Sequence, residues 1–237
     1  MEEYIKRFKE KGKIIIEDIT HSILSEKRYS EYSDYLVGSL RKWFPISTGG
    51  IVVNRNSKFA LELKENSNEQ IINVKNEAMR KKKVYIKNNE GSKEEFLDKY
   101  NESAKILNED YKDYSIDEKS YEIIQGINLD KIKQSRRENA KLIYEKLIKN
   151  PNIKFLINKY NENDCLLFVP ILLENSKRNE LRNYLISEKI YLPVHWPMEE
   201  KINNIFDREL SLVCDQRYTK QQIENYINLV INYLQKN

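Results

Sequence analysis

KIIIEDITHSILS (residues 13–25) and DYLVGSLRKWFPISTGGIVV (residues 34–53) decide how this chain of 237 residues is read. The first stretch sets an acid, Asp18, just after the apolar run 14–16. The second passes from the apolar residues 35–37 through Ser39 and Lys42 to Gly49 and Gly50, then enters a third apolar run, 51–53. Short continuous apolar runs predict strands buried on both faces, as in a parallel sheet. Between the second and third runs stand the turn formers Pro45, Ser47, Thr48, Gly49 and Gly50.

Composition limits the class of protein. Hydrophobic residues make up 40% and charged residues 33%, a globular balance on the polar side. The formal charge is +4, with both signs alternating along the chain. The densest basic run, Arg80 to Lys83, falls at an expected helix end, where lysines complement the helix dipole. Without interleaved aromatics it predicts a solvated terminus and no nucleic-acid partner. No apolar run reaches membrane-spanning length. The N-terminus is charged from its second residue, so a cytoplasmic protein without a signal peptide is expected. Cys165 and Cys214 form no CxxC, no metal site is expected, and Cys165 reads as a small buried hydrophobe.

Periodicity sets the remaining elements. Residues 3–10 predict a short amphipathic helix, and residues 59–86 a longer one with Ile71, Val74 and Ala78 on its apolar side. Residues 88–91 break it. Ser92 with Glu95 reads as a capping box for the next helix, and residues 108–118 read as a surface loop. Residues 129–148 predict a helix whose apolar stripe is interrupted only by Arg136. Strands are expected at 153–157, 165–173 and 190–192, with a helix at 178–187 before the last of them. A final helix opens on the capping box Thr219–Gln222. The expected architecture is α/β: residues 1–90 as part of a mainly parallel sheet with helices, 91–124 as connecting helices, and 125–237 as a compact α+β domain.

Chemistry concentrates in the opening stretch. An acid at the carboxyl end of a buried strand sits where open α/β sheets bind ligands, although a turn or cap role serves Asp18 equally well. A lysine condenses with an aldehyde only as the neutral amine. Lys42 is set apart from the other lysines by Ser39 before it and the glycine pair after it, while a solvated surface role is the ordinary alternative. An acid, a hydroxyl and a lysine together suit an aldehyde cofactor with a ring nitrogen and a phosphate. His21 could touch such a group or be structural.

These residues, taken in order with the Arg136, Arg137, Asn139 helix opening, VHWP at 194–197 and LSLVCDQRYT at 210–219, resemble the DegT/DnrJ/StrS-type sugar aminotransferases, pyridoxal-phosphate enzymes of fold type I. The resemblance implies Lys42 as the residue that bonds pyridoxal phosphate, Asp18 as the partner of its ring nitrogen and Ser39 as a phosphate ligand. His21 stands where many members have glutamine. His195, Trp196 and Arg217 match a segment toward the substrate side, with an ion-pair role as the alternative for Arg217. The implied activity moves an amino group from an amino acid to a keto group of a nucleotide-linked sugar.

Against the family's pattern, the chain starts well inside the large domain, before the C-terminal α+β small domain. The phosphate-gripping loop and the ring-stacking aromatic lie upstream of the part matched, and the sheet is expected to expose edges and one apolar face. The expectation is therefore a partial chain working as a homodimer or with a separately encoded N-terminal part. A catalytically inactive remnant or dimerisation module is the alternative. A nucleotide-binding α/β module is the third reading, and it leaves Lys42 and Asp18 without a reason.

Overall fold

The computed structural model describes residues 2–26, 29–56, 67–110, 114–157, 161, 163–173, 177–195 and 208–236. The chain divides into two units, one of residues 1–20 and 29–127, the other of residues 21–28 and 128–237. Each mixes helices with a three-stranded sheet, so the α/β class holds.

In the first unit, α1 (Glu2–Glu10) leads into β1 (Ile16–Asp18) and β2 (Tyr35–Ser39). A 3-10 turn (Leu40–Lys42), β3 (Gly50–Asn54), α2 (Glu69–Asn88), α3 (Lys93–Glu109) and α4 (Glu118–Gly126) follow. β1 pairs parallel with β2, with Asp18 opposite Val37. β2 pairs antiparallel with β3, with Ser39 opposite Gly50. The reversal needs a left-handed backbone at Gly49, whose φ is +128°. The expected burial of the apolar runs is corrected: Ile14, Ile16 and Val52 are 71%, 64% and 54% exposed. Among the described residues they stay exposed on a sheet of three short strands.

Capping chemistry sets the helices of this unit. The Asn68 side chain accepts from the Ile71 amide to start α2, and Asn89 ends it in the left-handed conformation. The helix expected from residue 59 thus starts at Glu69, and residues 57–66 lie outside the described residues. Ser92 accepts from the Glu95 amide, as its capping pattern predicts. α3 and α4, expected as connectors, belong to the first unit.

The second unit contains α5 (Leu129–Leu147), β4 (Ile153–Phe155), β5 (Phe168–Leu173), α6 (Lys177–Ser187), β6 (Glu209–Val213) and α7 (Lys220–Lys236). Its sheet is antiparallel in the order β4-β5-β6. The third strand is therefore 209–213 and not 190–192, which runs as irregular chain. The core joins Ile143 and Leu147 of α5, Ile171 of β5, Leu210 and Leu212 of β6, and Ile227 of α7, with Cys214. Cys165 is fully buried, as expected. The predicted reciprocal capping box opens α7: the Thr219 amide donates to Gln222 Oε1 and the Gln222 amide to Thr219 Oγ1.

Candidate active site

β1 and β2 run parallel, so their carboxyl ends lie side by side, and both line a cleft of about 820 Å³ in the first unit. That size suits a small-molecule ligand, and strand ends are where open sheets bind one. Asp18 and Thr20 come from the end of β1, Ser39 and Arg41 from the end of β2. Three hydrogen bonds clip the two ends together. The Ile19 amide donates to the Val37 carbonyl at 2.8 Å, the Ser39 amide to Thr20 Oγ1 at 2.9 Å, and Nε1 of buried Trp43 to the Thr20 carbonyl at 2.6 Å. Asp18 is exposed, and its Oδ1 accepts from the Thr20 amide at 2.8 Å. One lone-pair site thus serves the turn, and the rest of the carboxylate remains for a ligand.

The structure brings Asp18 and Ser39 together in one cleft. Lys42 is exposed in the 3-10 turn and is not among the described residues that line it. Arg41, which sequence reasoning passed over, does line it. Burial lowers the Arg41 guanidinium from its ordinary value. Lys75 on α2 was also missed. Burial first, then the charges of Arg41 and Lys42, push it down to about 8.

A third wall comes from the loop 47–50, held by the start of α4. Asp117 caps that helix, accepting from the Ser120 amide at 2.9 Å, and its other oxygen accepts from the Ser47 and Thr48 hydroxyls. The Asp117 amide returns a bond to Thr48 Oγ1 at 2.9 Å. The cap was legible as Asp117 three residues before Ser120, a pattern hidden inside an expected loop. Burial raises the Asp117 carboxyl, but the donors from Ser120, Thr48 and Ser47 outweigh it, so the net shift is downward. A carboxyl depressed in the folded state stabilises above its unfolded value, about 3.9, and loses that contribution as pH falls through the folded value. Thermal melts between pH 6 and pH 2 are therefore expected to show an acid limb that Asp117→Asn makes shallower. An unchanged limb would contradict the capping account.

In the second unit, the two histidines of the sequence meet: the His21 and His195 rings lie 5.0 Å apart, edge to face, with Phe168 beside both. Behind His195 stands a polar chain that the sequence did not announce. Buried Glu209 accepts from the Ser211 hydroxyl at 2.6 Å and from the His195 amide at 2.6 Å, and Ser211 Oγ lies 2.9 Å from His195 Nδ1. The one hydroxyl proton of Ser211 is spent on Glu209, so Nδ1 must be the donor. Nitrogen-15 NMR of neutral His195 is expected to show the Nδ1–H tautomer, and Ser211→Ala to remove that bias. An Nε2–H tautomer in the parent protein would refute the assignment.

Arg217 closes on Asp215, with Nε to Oδ1 at 2.8 Å, so the ion pair offered as its alternative role is present. Trp196 lies outside the described residues.

No protein-family model matches the sequence, and no curated protein matches it. Solved structures do. Helicobacter pylori PseC, an aminotransferase involved in the biosynthesis of pseudoaminic acid, superposes with a TM-score of 0.59 at 15% identity, covering 98% of this chain and 62% of its own. S. venezuelae DesV in complex with a ketimine intermediate gives 0.57 at 14%, covering 98% and 60%. A DegT DnrJ EryC1 StrS aminotransferase from Brucella abortus gives 0.54 at 13%, covering 97% and 60%. The chain spans about three fifths of the length of each. Over that span, its fold is that of these aminotransferases.

Proposed function

We propose that this chain is an aminotransferase-like protein that binds pyridoxal phosphate in the cleft of the first unit and moves amino groups to a keto group of a nucleotide-linked sugar. The observation that carries the reading is the placement of Asp18 and Ser39 on adjacent parallel strand ends lining one cleft. They fit the group: Asp18 keeps most of its carboxylate for a protonated ring nitrogen, and the Ser39 hydroxyl can donate to a phosphate oxygen. When bound, pyridoxal phosphate supplies an electron sink. Asp18 would hold the proton on the ring nitrogen and Lys42 would provide the bonding amine. In this reading the resemblance assigns His195, Trp196 and Arg217 to the substrate side and His21 to the cofactor.

A second copy of this chain is the partner in this reading, supported by the exposed apolar residues of β1 and β3, the kind of surface that association covers. Lys42, outside the cleft-lining residues, favours a second reading in which the cleft binds without covalent attachment as a non-catalytic module.

Equilibrium titration of the purified chain with pyridoxal phosphate tests the binding. Saturable binding is expected, weakened about tenfold or more by Asp18→Asn, which removes a charge-assisted bond. Equal affinity in the variant would overturn the assignment of Asp18.

A further inference from the structure

We infer that Ser39, Arg41 and Lys75 form a site for a phosphate or diphosphate group beside the cleft, supplied by this chain's own residues. Most polar side chains lining the cleft are already committed. Ser47 and Thr48 donate to Asp117, Asn68 caps α2 and donates to Asp110, and Tyr114 donates to Asp110. The Ser39 hydroxyl and the Arg41 guanidinium line the same cleft and have no hydrogen-bond partner among the described residues.

The charges point the same way. Lys75 lies one helical turn beyond Ile71, which lines the cleft, so both share a face of α2. Elsewhere in this unit, Lys9 pairs with Asp34, Lys81 with Glu95, and Lys99 with Glu77 and Glu102. Arg41, Lys42 and Lys75 have no carboxylate partner among the described residues, yet Arg41 and Lys75 are half-buried and Lys75 feels both other charges. Arg41 lines the cleft and Lys75 shares the α2 face of cleft-lining Ile71, and like charges so placed repel unless an anion joins them. A guanidinium fork with a point-charge ammonium group is a set that suits phosphate oxygens. Asp18 lines the cleft too, but it makes no ion pair with the three among the described residues.

The inference rests on the proposed function only for the source of the phosphate: either the cofactor's phosphate or the diphosphate of the acceptor. Calorimetric titration with inorganic pyrophosphate, without cofactor, tests the site itself. Binding is expected in the parent protein and in the exposed-lysine control Lys105→Gln, and should weaken about tenfold or more in Lys75→Gln and in Arg41→Gln. No binding at millimolar pyrophosphate by protein shown folded by circular dichroism would overturn the site. So would equal affinity in Lys75→Gln. Pyridoxal phosphate against pyridoxal, and uridine diphosphate against uridine, then identify the source by which pair responds to Lys75→Gln. Pyrophosphate binding without any cofactor binding would leave this site standing and sink only the cofactor reading.

Discussion

Arg136→Ala is expected to destabilise the second unit by about 3–5 kcal/mol, a fall in Tm of roughly 10 °C. Arg136 is 1% exposed, and its guanidinium donates to the carbonyls of Leu166 and Leu167 and to Asp215 Oδ2 at 3.1 Å. Truncation strips those carbonyls of a donor and opens a void beneath α5. One turn along the same helix, Asn139 Nδ2 donates to the carbonyls of Asp215 and Tyr218. Arg136 and Asn139 thus fasten the loop that leads into α7. Burial raises the Asp215 carboxyl, but the Arg217 hydrogen bond and the charges of Arg136 and Arg217 bring it down overall. Arg217→Ala is the contrast. Its side chain is 70% exposed, so the loss is expected to stay below about 1 kcal/mol. Equal losses in the two variants, measured by thermal or urea unfolding, would contradict the role given to Arg136.

The same contrast explains what could be read from residues alone. Ser92 and Thr219 act locally, so their capping boxes were visible in a few adjacent letters, as was the helix break at residues 88–91. Asp18 and Ser39 were visible because each comes shortly after an apolar run, and each is the last residue of its strand. Lys75 was not: on a helix rich in lysines, nothing in the spacing marks the one that follows cleft-lining Ile71 by a turn. β6 escaped for a related reason. Its Glu209 and Ser211 are polar residues buried in a network with His195, so the expected alternation of inside and outside is absent. The reverse error occurred at Ile14 and Ile16, where apolarity promised burial that three strands do not provide.

Lys42→Ala is the second substitution with a large expected effect. In the proposed function, Lys42 bonds the cofactor, so its loss should abolish covalent attachment while Asp18 and Ser39 still support weaker, reversible binding. Lys42 follows Ser39 by three residues in the 3-10 turn, and its neighbours Trp43 and Phe44 are 3% and 6% exposed. The turn is thereby anchored, through Trp43 to the Thr20 carbonyl, to the cleft wall that carries Asp18. The exposed Lys42 side chain is long and flexible, and replacing it disturbs none of this packing. A changed melting temperature would point to a structural role, and an unchanged one leaves the chemistry as the readout.

The most direct measurement is to incubate the protein with pyridoxal phosphate, reduce with borohydride and map the modified peptide by mass spectrometry. One modified residue, Lys42, is expected in the parent protein, and none in Lys42→Ala. Modification spread over many lysines, carried by Lys75 instead, or absent altogether would contradict the assignment of Lys42 as the cofactor's covalent partner.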